Sequence, residues 1–195
     1  MQETSASKTT REELLKWAQE FLQSRGPAGF SFQDLADRLK IKKASIHYHF
    51  KTKNELFKVL IEKYRSSFLT WTESVESLSA PGKWQGFVEL YRRFIQDKRR
   101  LCPSGAMSLE LSELPAPLRQ QLCDFQIEQR VWIEKMILQG QKEGFFMDQI
   151  HPRSAAILIG SALQGSLQIA KLHDSPVVFE KVMSELETLL KGPQK

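Results

Sequence analysis

The chain has 195 residues, 41% of them hydrophobic and 26% charged, with a formal net charge of +5 at neutral pH. That balance excludes a disordered chain and leaves room for a globular core of ordinary size. No run approaches the roughly 18–20 unbroken apolar residues of a membrane span, the segment MQETSASKTTREE has no apolar signal core, and Cys102 and Cys123 are too few for a disulfide framework or a sulfur-rich zinc site, so a cytoplasmic protein with no membrane partner is expected.

Periodicity predicts helices throughout, because no segment sustains the period-two alternation of a strand. The first helix is expected over 10–24. Thr10 and Glu13 have capping-box spacing, and Leu14, Ala18, Phe21 and Leu22 form an apolar stripe. Arg25-Gly26-Pro27 stops it, with glycine free to take a left-handed exit. The second helix is expected over 32–39, capped by Ser31 with Asp34 three residues on, and its inward face carries Phe32, Leu35, Ala36 and Leu39. A break at Lys40-Ile41-Lys42 precedes a short third helix over 43–49. Thr52 and Glu55 open a fourth over 53–78, and Ala80-Pro81-Gly82 is expected to mark the boundary after it.

Charge is concentrated in this first part. Residues 1–65 hold 13 Lys/Arg against 8 Asp/Glu, whereas residues 66–195 hold 15 of each. From Arg38 to Lys53 there are six basic residues and no acidic one. Such a stretch suits either a phosphate-binding face or a solvated helix surface.

Two short helices joined by a tight turn describe a helix-turn-helix. The residues Arg25-Gly26, Ser31, Leu35-Ala36, Ser45, Ile46, Tyr48, His49, Phe50, Lys53 and Leu56 closely resemble the N-terminal domain of TetR-family repressors over residues 10–65. Three positions depart from that pattern: Lys40 stands where glycine is usual, Lys42 where serine is usual, and His47 where tyrosine is usual. The resemblance implies an all-α protein of about nine helices. A three-helix DNA-binding domain would span residues 1–52 and a helical ligand-binding and dimerisation domain residues 53–195. It implies DNA contacts from Ser31, Gln33, Lys42, Lys43, Ala44, Ser45, His47, Tyr48, His49 and Lys53. The expected partner is double-stranded operator DNA bound by a homodimer, and the expected activity is repression relieved by a small-molecule effector.

Five further helices are expected over 83–98, 104–111, 117–143, 153–173 and 177–190. The last two form the dimer surface in the resembled family, which points to Ile157, Gly160, Ser161, Gly165, Val178, Val182, Leu186 and Leu189; the same residues would serve equally to pack one subunit. Trp84, Phe87, Tyr91, Met107, Leu111, Phe125, Trp132 and Met136 are candidates for an effector pocket or for core, with Glu110, Gln164 and Gln168 as polar candidates. Cys102 follows Arg99 and Arg100, and its spacing to Glu110-Leu111 resembles a TetR subgroup in which some members sense oxidants or electrophiles. The alternative is a small packing residue.

No metal, cofactor or catalytic role is expected. His47 and His49 lie two apart, on different helix faces. The sequence has no P-loop, GxSxG, HExxH or di-iron pattern.

Overall fold

The computed structural model describes residues 5–96 and 100–192. Among the described residues there are nine α-helices and no strand: α1 Ser5–Arg25, α2 Phe32–Leu39, α3 Lys43–His49, α4 Lys53–Ser74, α5 Ala80–Gln96, α6 Pro103–Ser108, α7 Ala116–Lys142, α8 Pro152–Leu172 and α9 Val177–Lys191. A single 3-10 turn, Leu111–Glu113, follows α6. The all-α architecture is as expected. The expected end of the fifth helix at Lys98 lies outside the described residues, as does Arg99.

Two compact units share the chain. The first runs to Ser66 and includes Pro103–Leu122; the second is Ser67–Cys102 with Cys123–Lys195. The expected division at residue 52 therefore differs from the observed grouping, since α6 packs on α1 within the first unit. Leu14, Leu22, Leu35, Ile46 and Leu56 are fully buried in that unit's core. Met107 and Ala106 are buried on α6 in the same unit.

The second unit is built on aromatic packing and on the α8–α9 hairpin. Trp71 and Trp132 pack at 4.9 Å, Phe87 and Tyr91 at 5.1 Å, and Phe87 and Trp132 at 5.4 Å between ring centroids. Offset and edge contacts of this kind add to the area the rings bury. The Arg92 guanidinium on α5 donates to both carboxylate oxygens of Glu180 on α9, at 2.7 and 3.0 Å, and to Glu89 at 2.6 Å. These acceptors raise the already high pKa of Arg92 further. Helix α8 is long and apolar enough to cross a membrane by length and composition. Its apolarity has a local cause: Ile159, Leu163, Leu167 and Ala170 are buried, and α8 packs on both α9 and α5.

Several boundaries differ from expectation. Helix α1 begins at Ser5, so Thr10 lies inside it and is not an N-cap. Helix α4 stops at Ser74, and Ala80-Pro81-Gly82 forms the first turn of α5. The cause is non-local. The Glu143 carboxylate, just past α7, accepts from the Ala80 N–H at 2.8 Å, and Gln139 on α7 donates to the Leu78 carbonyl at 3.1 Å. Hydrogen bonds from Gln139 and then from Ala80 hold the Glu143 pKa below its ordinary value. Proline fits there because the first helical turn needs no N–H from it.

Leu186, expected at a dimer surface, is 4% exposed and belongs to the core of its own chain, whereas Leu189 is 64% exposed. Three residues of helix turn the two side chains about 60° apart, enough to separate core from surface here. Leu186→Ala should therefore cost about 2–5 kcal/mol of stability, read as a lower urea midpoint, while Leu189→Ala should leave the midpoint of a monomeric variant unchanged.

Candidate functional site

The helix-turn-helix begins with a completed capping box. Ser31 is extended (φ −127°, ψ 172°), and its Oγ accepts from the N–H groups of Gln33 at 3.2 Å and Asp34 at 3.3 Å. The Asp34 carboxylate accepts from the Ser31 N–H at 2.8 Å and from its hydroxyl at 2.5 Å. The Ser31 side chain then lowers the Asp34 pKa, followed by the Ser31 backbone and, more weakly, Arg25. Because the folded value lies below the unfolded one, this stabilisation is complete above the ordinary aspartate range and disappears as pH falls through the folded value.

Lys40 takes the left-handed conformation (φ 54°, ψ 42°) that its place in the turn demands. Its N–H bonds to the Asp37 carbonyl at 3.3 Å, and the Ile41 N–H bonds to the Ala36 carbonyl at 3.0 Å. This Schellman closure turns the chain into α3 without glycine. On α3, Ile46 is fully buried, and Phe50 just beyond it is 2% exposed. Those two anchors direct Lys43, Ala44, Ser45, His47 and Tyr48 outward, and all five are exposed, as is Lys42 at the N-cap. The His47 ring rests edge-on against Phe32 at 5.2 Å, and the half-buried His49 lies against Tyr48 at 5.1 Å. The two histidines thus have different neighbours and do not converge.

Three expected DNA contacts have other partners. Ser31 donates its one proton to Asp34 and accepts twice, which uses the capacity of a hydroxyl. Gln33 donates to the Asp37 carboxylate at 2.8 Å. Lys53 turns inward: its ammonium donates to the carbonyls of Pro27, at 2.5 Å, and Phe30, and lies 4.3 Å from the Phe30 ring centroid. Burial pulls the Lys53 pKa down, opposed by the carboxylates of Glu110 and Asp34. Arg38 stacks on Trp17 at 3.6 Å. The exposed charge of the 38–53 stretch therefore comes from Lys40, Lys42, Lys43 and Lys51, together with Arg38 beside the Trp17 ring.

Glu110 has a role that the sequence does not reveal. Its carboxylate accepts from the Ala28 N–H at 2.8 Å. The loop between α1 and α2 is thus held by Lys53 on its carbonyls and by Glu110 on an N–H. Gly26 leaves α1 at φ +82°, and a Cβ there would meet Glu110 Oε1 at 3.2 Å.

The expected pocket residues separate. Met107, Glu110 and Leu111 belong to the first unit, the others to the second. There, Phe87, Tyr91 and Gln164 line a cavity of about 440 Å³. Trp132 and Met136 line another of about 510 Å³. Trp84 is buried and donates its ring N–H to Glu187 at 2.7 Å. Phe125 is packed against Phe68 at 5.8 Å. Gln168 is half-buried on α8, outside the lining of both cavities. Cys102 is 2% exposed. A reactive thiol needs access, so the surroundings of Cys102 suit packing.

Two replacements probe this geometry. Lys40→Gly should raise stability by roughly 0.5–1 kcal/mol, because relief of the left-handed cost exceeds the added freedom of the unfolded chain; a lower denaturation midpoint would contradict it. Lys53→Met should leave two loop carbonyls short of a donor and cost about 1–3 kcal/mol without DNA present. A lysine that served only to bind phosphate would leave that midpoint unchanged.

Residues 14–60 match the family described as bacterial regulatory proteins, tetR family. Residues 83–186, over half the chain, match a C-terminal domain described as tetracyclin repressor-like. The HTH-type transcriptional repressor DhaR of Mycobacterium sp. (strain GP1) is 23% identical over 193 residues, covering 92% of this chain and 95% of its own. A TetR-family transcriptional regulator from Agrobacterium tumefaciens superposes with a TM-score of 0.89 at 18% identity, covering 95% of this chain and 100% of its own. A TetR transcriptional regulator from Legionella pneumophila does so with a TM-score of 0.84 at 25% identity, covering 98% and 100%. With its helix-turn-helix and helical C-terminal domain, the chain belongs to the TetR family and is a DNA-binding transcriptional regulator.

Proposed function

We propose that the protein is a cytoplasmic repressor, not an enzyme, that binds a near-palindromic operator as a homodimer and leaves it when a small-molecule effector binds. The observation that carries this is α3: two buried apolar anchors hold an outward face of Lys43, Ala44, Ser45, His47 and Tyr48, with Lys40 and Lys42 beside it. Lys42 and Lys43 supply phosphate contacts, and Lys43 also suits guanine acceptors. Ser45 and Tyr48 fix position on the backbone, Ala44 suits a thymine methyl, and His47 lies on the same outward face, with the half-buried His49 turned away from it.

The dimer is proposed through α8 and α9. Ile157, Ser161 and Leu189 are exposed, and Gly160, Gly165, Val178 and Val182 are half-buried. Leu158, Ile169 and Leu172 add exposed apolar surface along α8. A Cβ built on Gly160 or Gly165 meets nothing within 4 Å, so a second helix can approach closely. A twofold pair would set the two α3 helices ~34–36 Å apart, the spacing of successive major grooves. Helices α4 and α7 contribute residues to both compact units, which makes them the continuous elements through which an effector would shift the population of DNA-competent dimers.

Binding to DNA from upstream of the protein's own gene, measured by gel shift against salt, tests this. The slope of log K against log salt should become shallower in Lys42→Ala/Lys43→Ala, by roughly 0.9 for each phosphate the variant no longer neutralises. An unchanged slope would contradict the placement of α3. Ile169→Glu should convert the dimer to monomer in sedimentation and weaken operator binding with it; a variant that stays dimeric would remove α8 from the interface.

A further inference from the structure

The cavities of the second unit differ in charge. The cavity of about 510 Å³ is lined by Glu76 and Glu128 as well as Lys83 and Lys135, and Lys83 already reaches Glu76 at 3.8 Å and Gln139 at 2.9 Å. A smaller one of about 210 Å³ contains both members of the Arg92–Glu180 pair. In the cavity of about 440 Å³, Arg130 is the one formally charged residue among the described lining residues. Its floor is apolar, with Phe87, Ile133, Leu163 and Ala156 all buried.

We propose that this cavity binds a small organic monoanion, a carboxylate carried on an aromatic or alkyl body, with the Arg130 guanidinium as its counter-charge. The proposal rests on the reading of the chain as an effector-released repressor and names the class of effector.

Arg130 shares its face of α7 with Gln126, Ile127 and Ile133, one turn away on either side, and all three line the cavity. Glu134, also one turn away, is not part of the lining. A guanidinium presents paired N–H donors that match a carboxylate with two parallel hydrogen bonds. Tyr91 also lines the cavity; its hydroxyl accepts from Gln129 Nε2 at 3.0 Å and keeps its own proton to donate. Burial, followed by the nearby Cys102, holds the Tyr91 pKa well above its ordinary value, so the phenol remains a neutral donor. Both groups therefore offer protons to an oxygen acceptor, while a cationic ligand would meet an unbalanced positive charge. One guanidinium suits one negative charge and not a polyphosphate. A volume of about 440 Å³ lies near the lower end of the roughly 300–1,000 Å³ range of small-molecule pockets, which fits one or two rings or a medium alkyl chain. Ile157, Gly160 and Ser161 line this cavity and also belong to the proposed dimer surface, so an occupant would bear on the packing of the two copies.

The test uses two pairs of probes with the full chain: 2-naphthoate against 2-naphthamide, and decanoate against decanamide. Calorimetry and thermal shift would be run on the wild type, Arg130→Gln and Arg130→Lys. At least one acid should bind ten-fold or more tightly than its amide. That preference should vanish in Arg130→Gln and persist in part in Arg130→Lys, with thermal midpoints of the unliganded variants near wild type. The proposal is overturned by amides that bind as tightly as acids, by acid binding that is unchanged in Arg130→Gln, or by acids that do not bind. Gel shifts on the same samples separate the two ideas. Specific DNA binding that persists without any acid preference overturns the anion site and leaves the repressor standing; acid binding by a chain with no specific DNA binding does the reverse.

Discussion

The reading head depends on how the loop between α1 and α2 is held. A five-residue stretch, Gly26–Phe30, must place α2 against α1 with few backbone bonds of its own. The Lys53 ammonium takes the carbonyls of Pro27 and Phe30, and the Glu110 carboxylate takes the Ala28 N–H. One charge comes from the start of α4 and the other from the segment after α6, so three separate parts of the chain must be in place before the loop is satisfied. The Pro27 and Phe30 carbonyls are part-buried, and such groups left without partners are costly; that cost helps to fix the entry into α2, while the Ala28 bond lies at the surface. With α2 set, the Schellman closure at Lys40 sets α3, and Ile46 and Phe50 set which side of α3 faces outward.

The same economy shapes the electrostatics. A basic run is an undifferentiated attraction for phosphate until some of its members are assigned elsewhere. Lys53 serves the loop and Arg38 covers the Trp17 ring. What is exposed is Arg38 near the end of α2, Lys40, Lys42 and Lys43 around the turn and the start of α3, and Lys51 just past α3. Charge beside the side chains proposed to meet base edges would join the long-range pull on DNA to the short-range interactions that choose a sequence.

Much of the first unit was legible because its signals are local. The bounds of α2 and α3 follow from Ser31 and Asp34 at one end and from apolar spacing at the other. The left-handed Lys40 follows from its place in the turn. The pattern failed where a partner lay far away in sequence. Lys53 reads as a DNA contact, yet its partners in the fold lie 23 and 26 residues back. The break between α4 and α5 is set by Gln139 and Glu143, 61 and 63 residues onward. Leu186 and Leu189 share an apolar stripe, and only the packing of α9 on α8 and α5 distinguishes core from surface. The cavity around Arg130 had no sequence signal beyond Phe87, Tyr91 and Gln164, because a lone arginine on a long helix resembles any solvated one.

The central claim is that two copies of α3 read DNA from the same side, one helical turn apart. Hydroxyl-radical footprinting of the full-length protein on DNA upstream of its own gene tests this directly. Protected stretches related by a twofold axis, with centres about 10–10.5 base pairs apart or a whole multiple of that, are the predicted result. A single protected stretch, or protection that follows no sequence, would contradict it.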